Sequence, residues 1–312
     1  MKKVVIIGGG VVGLCSAYYL AKEGHQVTIL DASDMEDGCS YGNAGMIVPS
    51  HLIPMAQPGM IAQGMRWMFN AKSPFYVRPR FSPSLFAWGW QFKKHANRKH
   101  VEASMPALRD LSVLSKELYQ DLSKEINDFH YEEKGLLMLY KSDKVGEEEI
   151  HAGKEAQRMG LEVDFLNKEE TAKLESGIDL DVSGSVHYRS DAHLIPNNFN
   201  QFLKDQLLAL GVEIKKNTKV LDFKTDQHSI VSVETSDGAI DGDEFVLSAG
   251  SWSPMIAKKL GIKIHILPGK GYSFNREDMT QKPSIPSILC EGKVAVTPMG
   301  NSVRFGGTLD AL

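Results

Sequence analysis

Residues 2–31 carry the hydrophobic pattern of a strand, a helix and a second strand. Residues 4–7 form a β-branched run, which predicts a strand buried on both faces. Apolar and small residues then recur with helical spacing, and Gly24 is placed to end that helix. The residues with helical spacing are Leu14, Ala17, Tyr18 and Ala21. Residues 27–30 predict the second strand, which Asp31 closes.

A glycine motif lies where the first strand turns into the helix. Gly8, Gly10 and Gly13 have the G-x-G-x-x-G spacing, which allows a tight turn, close approach of a pyrophosphate and close packing of helix on strand. Asp31 follows at the interval of an acid that binds a ribose hydroxyl, and its charge disfavours the 2′-phosphate of NADP. The pattern predicts dinucleotide binding at the helix N-terminus and leaves FAD and NAD open.

The rest of the chain alternates between helical and strand patterns. An amphipathic repeat predicts one long helix over 101–129, Asn167 and Glu170 have the spacing of a capping box, and Asp237-Gly238 predicts a hairpin. An apolar strand running into Ala249-Gly250 places a second glycine turn at the carboxyl edge of the sheet, where ligands bind in such folds. Further strands are predicted at 135–140, 185–188, 212–214, 220–223, 230–235, 267–274, 294–297 and 302–307, and further helices at 147–159 and 191–210.

Two segments after Asp31 have unusual composition. Residues 32–47 are rich in small residues, which favours a loop facing a flat ligand over an ordinary surface loop. Residues 46–100 hold many prolines together with Trp67, Trp88 and Trp90, which predicts short helices and loops. Three roles are open for this insert. It forms a lid over a cofactor, it forms a hydrophobic surface that contacts a membrane or a partner protein, or its tryptophans pack in the hydrophobic core. His51, at its start, is a structural hydrogen-bonding residue or a pocket residue.

Composition narrows the classes of function. The chain has 312 residues, 42% of them apolar, and a net charge of −4 with scattered lysines, so we expect a sizeable core and no nucleic-acid partner. We find no secretory signal and no apolar stretch long enough to span a bilayer, and we expect a cytoplasmic protein. Cys15, Cys39 and Cys290 fit no metal or disulfide spacing. Lys270 and Arg304 are anion binders or solvated strand residues.

Taken together, these pieces resemble the FAD-dependent amine and D-amino-acid oxidoreductases, most closely the D-amino-acid dehydrogenases. The resemblance spans essentially the whole chain. The residues that carry it are Gly8, Gly10, Gly13 and Asp31, the segments 40–45, 249–252, 268–272 and 304–308, and Val220. It implies an α/β fold, with a Rossmann-like FAD-binding domain (a parallel sheet with helices) interleaved with an α+β substrate domain built on an antiparallel sheet. We expect residues 1–50 with 135–260 in the first domain and 51–134 with 261–312 in the second.

The resemblance also implies roles for individual residues. Gly8, Gly10 and Gly13 would hold the pyrophosphate of FAD, and Asp31 the adenosine ribose. The residues expected along the pyrophosphate, ribityl chain and isoalloxazine are Ser40, Asn43, Ala44, Gly45 and Met46. Those expected near the adenine are Val220, Ala249, Gly250 and Trp252. Tyr272 and His51 are candidates for the substrate pocket, and no metal is expected.

The implied activity is oxidative deamination of D-amino acids by hydride transfer from the α-carbon to flavin N5, giving a 2-oxo acid and ammonia. The electron acceptor would be a membrane quinone, reached by peripheral contact with the inner face of the membrane. One alternative is an enzyme like glycine or sarcosine oxidase that uses O₂. Family members continue past the Gly-Gly-Thr strand with an arginine for the substrate carboxylate and a further helix, whereas this sequence ends at Leu312. We therefore expect an incomplete substrate domain. A second alternative is a nucleotide-binding protein without catalytic activity.

Overall fold

The computed structural model describes residues 1–68, 75–77, 83–227 and 229–311. The chain divides into two compact units, Met1–Gly42 with Pro196–Leu267, and Asn43–Ile195 with Pro268–Leu312. The strands in chain order are β1 (Lys3–Ile7), β2 (Gln26–Leu30), β3 (Met46–Ile47), β4 (Phe75–Val77), β5 (Leu136–Tyr140), β6 (Val163–Asn167), β7 (Gly184–Tyr188), β8 (Ala192–His193), β9 (Glu213–Lys215), β10 (Val220–Asp226), β11 (Ser229–Thr235), β12 (Gly238–Asp241), β13 (Glu244–Leu247), β14 (Gly269–Glu277), β15 (Ser287–Leu289), β16 (Val294–Met299) and β17 (Ser302–Ala311). The α-helices are α1 (Val11–Lys22), α2 (Cys39–Gly42), α3 (Met60–Met68), α4 (Pro83–His95), α5 (Arg98–Glu125), α6 (Asp143–Arg158), α7 (Lys168–Leu174), α8 (Pro196–Ala209) and α9 (Ser253–Ala257).

The first unit is built on a parallel sheet with strand order β13-β1-β2-β9. The strand β1, the helix α1 and the strand β2 form the predicted unit, with α1 packed against β2 and α8. A second sheet, β10-β11-β12, is antiparallel and contains the predicted hairpin. Its turn is formed by Ser236 and Asp237, one residue earlier than the predicted Asp237-Gly238, because Gly238 already pairs with Thr235. One hydrophobic cluster joins the two sheets, because Val5, Ile7 and Leu30 pack with Val220 and Val233.

The second unit is built on a largely antiparallel sheet of order β14-β17-β16-β15-β5-β7-β6, with β4 paired to β17. Its core includes Leu136, Met138, Val186 and Tyr188. The predicted domain limits placed residues 135–195 in the cofactor domain. In the structure, β5, β6 and β7 hydrogen-bond into this sheet, so the two compact units differ from those limits. The α/β fold class, with a parallel and an antiparallel sheet, is confirmed.

Two predicted helices differ from the structure at their ends. The helix predicted over 191–210 begins only at Pro196, because proline disfavours helical backbone in the residue before it and fits the first helical position. The preceding Ala192–His193 is instead the strand β8, paired with β3. The helix predicted over 101–129 spans Arg98–Glu125, where Asn97 caps it by accepting from His100 N at 3.0 Å. The capping box at Asn167 and Glu170 is present at the start of α7.

The segment 46–100 contains short elements, as predicted. Its described helices are α3 and α4, with the short strand β4 between them. Residues 69–74 and 78–82 and the Trp67 side chain lie outside the described part of the chain. On α4 the Trp88 ring stacks on Phe92, with ring centroids 5.1 Å apart.

Candidate cofactor site

The glycine turn after β1 is too tight for side chains at two positions. Gly8 has φ +112°, and a Cβ there would lie 2.6 Å from the Ser248 carbonyl oxygen. A Cβ at Gly13 would overlap the Gly8 carbonyl oxygen, so α1 packs directly on the turn. Gly10 differs, because a Cβ there would meet only Ser40 Oγ, at 3.2 Å. Gly8 and Gly13 are therefore required by packing, whereas Gly10 leaves space beside the backbone.

The Asp31 carboxylate faces this turn. Its Oδ2 accepts a hydrogen bond from Gly9 N at 2.7 Å, and its Oδ1 accepts from the backbone and hydroxyl of Ser33 at 2.8 and 2.7 Å. The Asp31 backbone is fixed on both sides, since its N–H donates to Lys215 O and its carbonyl accepts from Thr218 N. A carboxylate has about four lone-pair sites, so Asp31 retains capacity to accept from a ribose hydroxyl.

The loop after Asp31 returns to the start of α1. Ser40 Oγ accepts from Val11 N at 2.9 Å, which supplies one acceptor to the first turn of the helix. Met35 is buried with φ 60°, and its sulfur would lie 2.8 Å from a Cβ at Gly9. Tyr41 Oη donates to Met35 O at 2.5 Å. The loop is thus held by the hydrogen bonds at Ser40 and at the Met35 carbonyl, and by burial of the Met35 side chain.

The second predicted glycine turn lies against the first. Ser248, directly after β13, donates from its hydroxyl to Gly8 O at 2.9 Å, and Ala249 Cα would lie 2.8 Å from a Cβ at Gly8. Gly250 has φ +51° and begins a 3-10 turn, in which Trp252 is largely exposed. Val220 starts β10, and its side chain is buried in the cluster between the two sheets.

In the second unit, the segment 43–46 forms a hydrogen-bonded turn. Asn43 Oδ1 accepts from Gly45 N at 2.8 Å, and Gly45 has φ +67° with its carbonyl accepting from Leu194 N. Ala44 is partly buried, and Met46 pairs with His193 across β3 and β8. Arg304 Nη1 donates to Asn43 O at 2.7 Å. The turn therefore rests on β17 on one side and β8 on the other.

His51 lies next to a buried carboxyl group. His51 Nδ1 lies 3.1 Å from Ser50 Oγ. Ser50 donates from its N–H and its hydroxyl to Asp191, at 3.0 and 2.5 Å. Asp191 is fully buried, and this burial raises its pKa to about 7. Burial lowers the pKa of the neighbouring His193 to about 4, and His193 Nδ1 has no hydrogen-bond partner among the described residues.

Tyr272 and the two predicted anion binders lie on the large sheet of the second unit. Tyr272 is half-exposed on β14, with Lys270 Nζ 5.2 Å from its ring centroid. Arg304 is buried instead of solvated, and its Nε donates to Asn275 Oδ1 at 2.8 Å. Burial lowers the pKa of Arg304. His51 and Tyr272 stay predictions as pocket residues.

Sequence reasoning missed several residues around the turn. Ser248 was part of the predicted strand, although a polar residue at the carboxyl end of a buried strand is a usual sign of a site. Asn200 and Lys204 are buried polar residues on α8, one turn apart. Each directly follows an apolar residue, Phe199 or Leu203, and the two pairs are four residues apart. This helical spacing beside apolar positions was the signal from which their burial could have been predicted.

The arrangement in the first unit fits the diphosphate of a dinucleotide. The first turn of α1 carries no acidic residue, and its N-cap Gly10 makes no side-chain hydrogen bond. The Ser40 hydroxyl accepts from Val11 N, and beside it the positive end of the helix dipole faces the space at Gly10 where a Cβ is missing, which suits an anion. Asp31, which directly follows β2, accepts a hydrogen bond from Gly9 N in the same turn.

A family model described as FAD dependent oxidoreductase matches residues 3–311. The chain belongs to this family. FAD is its cofactor, and it is an oxidoreductase with the expected fold. The D-amino acid dehydrogenase of Helicobacter pylori is 30% identical over 310 residues, which are 99% of this chain and 74% of that protein. The D-amino acid dehydrogenase of Bradyrhizobium diazoefficiens is 29% identical over 320 residues, covering 99% of this chain and 75% of that protein.

Solved structures agree on the fold. Glycine oxidase from Bacillus cereus has a TM-score of 0.68 at 20% identity, covering 100% of this chain and 72% of that one. L-proline dehydrogenase from P. horikoshii has a TM-score of 0.67 at 19% identity, covering 98% of this chain and 69% of that one. Among the helices within the described ranges, none combines the length and the hydrophobicity needed to cross a bilayer.

Proposed function

We propose that the chain catalyses FAD-dependent oxidative deamination of D-amino acids. Two relatives that cover almost all of it carry the name D-amino acid dehydrogenase, at 30% and 29% identity. The observation that carries the proposal in the structure is the glycine turn, where packing excludes side chains at Gly8 and Gly13 and Gly10 leaves an open helix N-terminus beside Asp31.

In the first unit, we propose that the N-terminus of α1 binds the diphosphate over Gly8, Gly10 and Gly13. Asp31 accepts from the adenosine ribose. Ser40 keeps the start of α1 in place by accepting from Val11 N. The residues proposed on the adenine side are Val220, through its backbone, and Ala249, Gly250 and Trp252.

In the second unit, we propose that Asn43, Ala44, Gly45 and Met46 lie along the ribityl chain and the isoalloxazine. The hydrogen bond from Gly45 N to Asn43 Oδ1 shapes this turn, and Arg304 holds its first carbonyl. Met46 is fixed by its pairing with His193. Together these contacts pre-organise the backbone, which reduces the ordering cost of binding.

Bound FAD supplies the acceptor for hydride from the substrate α-carbon, and the imino acid product hydrolyses to a 2-oxo acid and ammonia. The protein contributes binding, orientation and exclusion of water. We assign no protein base, because an amine that enters neutral needs none. His51 and Tyr272 are proposed to line the substrate pocket.

The test is reduction of the flavin by substrate without oxygen. Purified protein is reconstituted with FAD and mixed anaerobically with D-alanine, D-proline or L-alanine. We expect the two D-amino acids to bleach the flavin absorbance and L-alanine to leave it unchanged. A flavin that none of the three reduces contradicts the proposed activity, and protein that takes up no FAD supports the alternative of a nucleotide-binding protein without catalysis.

The second candidate is an enzyme like glycine or sarcosine oxidase, and the fold shared with glycine oxidase favours it. At 20% identity this likeness is to the fold, whereas the higher identity to dehydrogenases favours the first proposal. Oxygen consumption with D-alanine, glycine and sarcosine, with and without a quinone dye, separates the two. Rapid O₂ uptake without the dye supports the oxidase.

The proposed electron acceptor is a membrane quinone, reached by peripheral contact through α4. Phe86 and Trp90 lie one turn apart on this helix and are 65% and 68% exposed. The last turn carries Lys93, Lys94 and His95. Exposed aromatic rings next to basic side chains are typical of helices that lie in a lipid interface.

Sedimentation with vesicles tests this contact. We expect binding to vesicles of anionic phosphatidylglycerol and weaker binding to phosphatidylcholine. The double substitution F86S/W90S should abolish it, while L111S, at a residue of α5 that is 66% exposed, should not. Equal loss in both variants, or no binding by the unsubstituted protein, contradicts the membrane contact.

A further inference from the structure

Two polar side chains lie on the buried face of α8, where the other positions are mostly apolar. Asn200 is 1% exposed and Lys204 is 6% exposed. They are four residues apart and therefore on the same side of the helix. Burying an amide and an ammonium group costs free energy unless their hydrogen bonds are specific, so their contacts identify what they do.

Asn200 holds the loop that caps α1. Its Nδ2 donates to Ser40 O and to Pro196 O, both at 2.8 Å. Ser40 in turn accepts from Val11 N through its hydroxyl, at 2.9 Å. A continuous chain of hydrogen bonds thus runs from α8 through Ser40 to the first turn of α1.

Lys204 holds the same loop a few residues earlier. Its Nζ lies 3.4 Å from Met35 O and 3.5 Å from Glu36 Oε1, and 5.8 Å from the ring centroid of Tyr41. Glu36 also accepts from Lys216 Nζ at 2.7 Å. The loop between Met35 and Ser40 is therefore attached to α8 at both ends.

We propose that Asn200 and Lys204 are positioning residues for the dinucleotide. They fix the loop 35–40 so that Ser40 caps α1, and they thereby set the affinity for the diphosphate of FAD. The inference rests on the proposed site at the N-terminus of α1 and adds the side chains that keep that site in shape. Neither residue touches the proposed position of the diphosphate; both act through Ser40 and Met35.

The helix contains a matched control pair. Gln201 Nε2 donates to Asp205 Oδ1 at 2.8 Å, with the same spacing, on the exposed side of α8. Substitutions there remove a polar contact from the same helix without touching the loop 35–40. Any effect on helix stability alone should appear in both pairs.

The experiment measures dissociation constants of FAD and of ADP for the apoprotein of the 312-residue chain. The variants are N200A, K204M, the double variant N200A/K204M and the control Q201A/D205A. We expect N200A and K204M each to bind both ligands about five- to tenfold more weakly, the loss that one hydrogen bond typically produces. The double variant should lose less than the product of the two effects, because both residues hold one loop.

A positioning role also predicts that turnover of each variant at saturating FAD stays near that of the unsubstituted protein, whereas general destabilisation would reduce it too. If N200A or K204M does not fold, the milder variants N200S and K204Q replace them. We expect these variants also to bind FAD and ADP more weakly, by a smaller factor. Variants that bind FAD and ADP as tightly as Q201A/D205A overturn this inference alone. Unsubstituted protein that binds neither ligand overturns the proposed cofactor site together with it.

Discussion

The carbonyl oxygen of Gly8 occupies the space that a Cβ atom on Gly13 would need. The same Cβ would lie 2.8 Å from Ser248 Oγ, which itself donates to Gly8 O at 2.9 Å. Three backbone segments therefore meet at one point, with no room for a methyl group. At Gly10, in contrast, only Ser40 Oγ is near. The motif thus combines glycines needed for packing with one that leaves space for a ligand.

We predict that G13A destabilises the protein itself. The added methyl group overlaps backbone on the turn, which cannot move without separating α1 from β1. We expect a loss of about 3 kcal/mol in the free energy of unfolding, at the upper end of typical overpacking. Urea unfolding of the apoprotein measures this loss.

The control variant is G24A, because a Cβ at Gly24 meets no atom within 4 Å. Gly24 has φ +83°, so G24A should cost about 1 kcal/mol from backbone strain alone. Equal losses in the two variants would contradict the packing role of Gly13.

We predict the opposite behaviour for G10A. Gly10 has φ −74° and ψ 178°, which any residue adopts, so the variant should keep its stability to within about 1 kcal/mol. Its methyl group occupies the space next to the open helix N-terminus, and we expect FAD to bind at least about tenfold more weakly. Unfolding and FAD titration of the same preparation check both parts. Unchanged FAD affinity would place the diphosphate elsewhere.

We predict that D31N weakens FAD binding by about 10- to 100-fold, because a hydrogen bond to a charged group is worth about 1.5–3 kcal/mol. The amide also removes the charge that holds Gly9 N at 2.7 Å. Asp34, three residues later and exposed, is the control, and D34N should bind FAD like the unsubstituted protein. Titration of both apoproteins gives the comparison. If D31N and D34N bind alike, Asp31 has no role at the ribose.

Asp191 and His193 should give opposite pH dependences of stability. The pKa of Asp191 is raised from 3.8 to about 7, so the folded state holds an extra proton between these values and stability falls as pH rises. The pKa of His193 is lowered from 6.5 to about 4, so the unfolded state holds the extra proton and stability rises with pH. Each slope is about 1.4 kcal/mol per pH unit, and they offset each other between about pH 4 and 6.5.

Single substitutions should separate these two slopes. D191N can keep both contacts to Ser50, because its amide accepts from one group and donates to the other, and we expect its stability relative to the unsubstituted protein to increase from pH 4 to 7. H193Q should show the reverse up to pH 6.5. Urea unfolding at half-unit pH intervals measures the differences, from which all other titrating groups cancel. Parallel curves for the three proteins would contradict both assignments.

The sequence predicted the parts of the fold that depend on local pattern. The βαβ unit with Gly8, Gly13 and Asp31, the hairpin between β11 and β12 to within one residue of its turn, and the capping box at Asn167 could be predicted, because each needs residue types at a fixed spacing. The predicted start of α8 at residue 191 was wrong. The restriction that Pro196 places on the backbone of the residue before it keeps residues 192–195 out of the helix, which begins at Pro196.

Contacts between distant segments could not be read from the sequence in the same way. Arg304 pairs with Asn43, and Lys204 with Glu36, across 261 and 168 positions of the chain, and no local pattern specifies such partners. The sequence alone does not distinguish a buried from a solvated side chain at either cation. Their burial follows from the tertiary fold, which places one on an inner strand and the other on the packed face of α8.

The dinucleotide site is tested most directly by titrating the apoprotein with FAD, followed by flavin fluorescence, with ADP and NADP as competitors. We expect saturable binding of one FAD per chain, displaced by ADP and unaffected by NADP. The absence of saturable FAD binding, or displacement by NADP as effective as that by ADP, would contradict a dinucleotide site built from the glycine turn and Asp31.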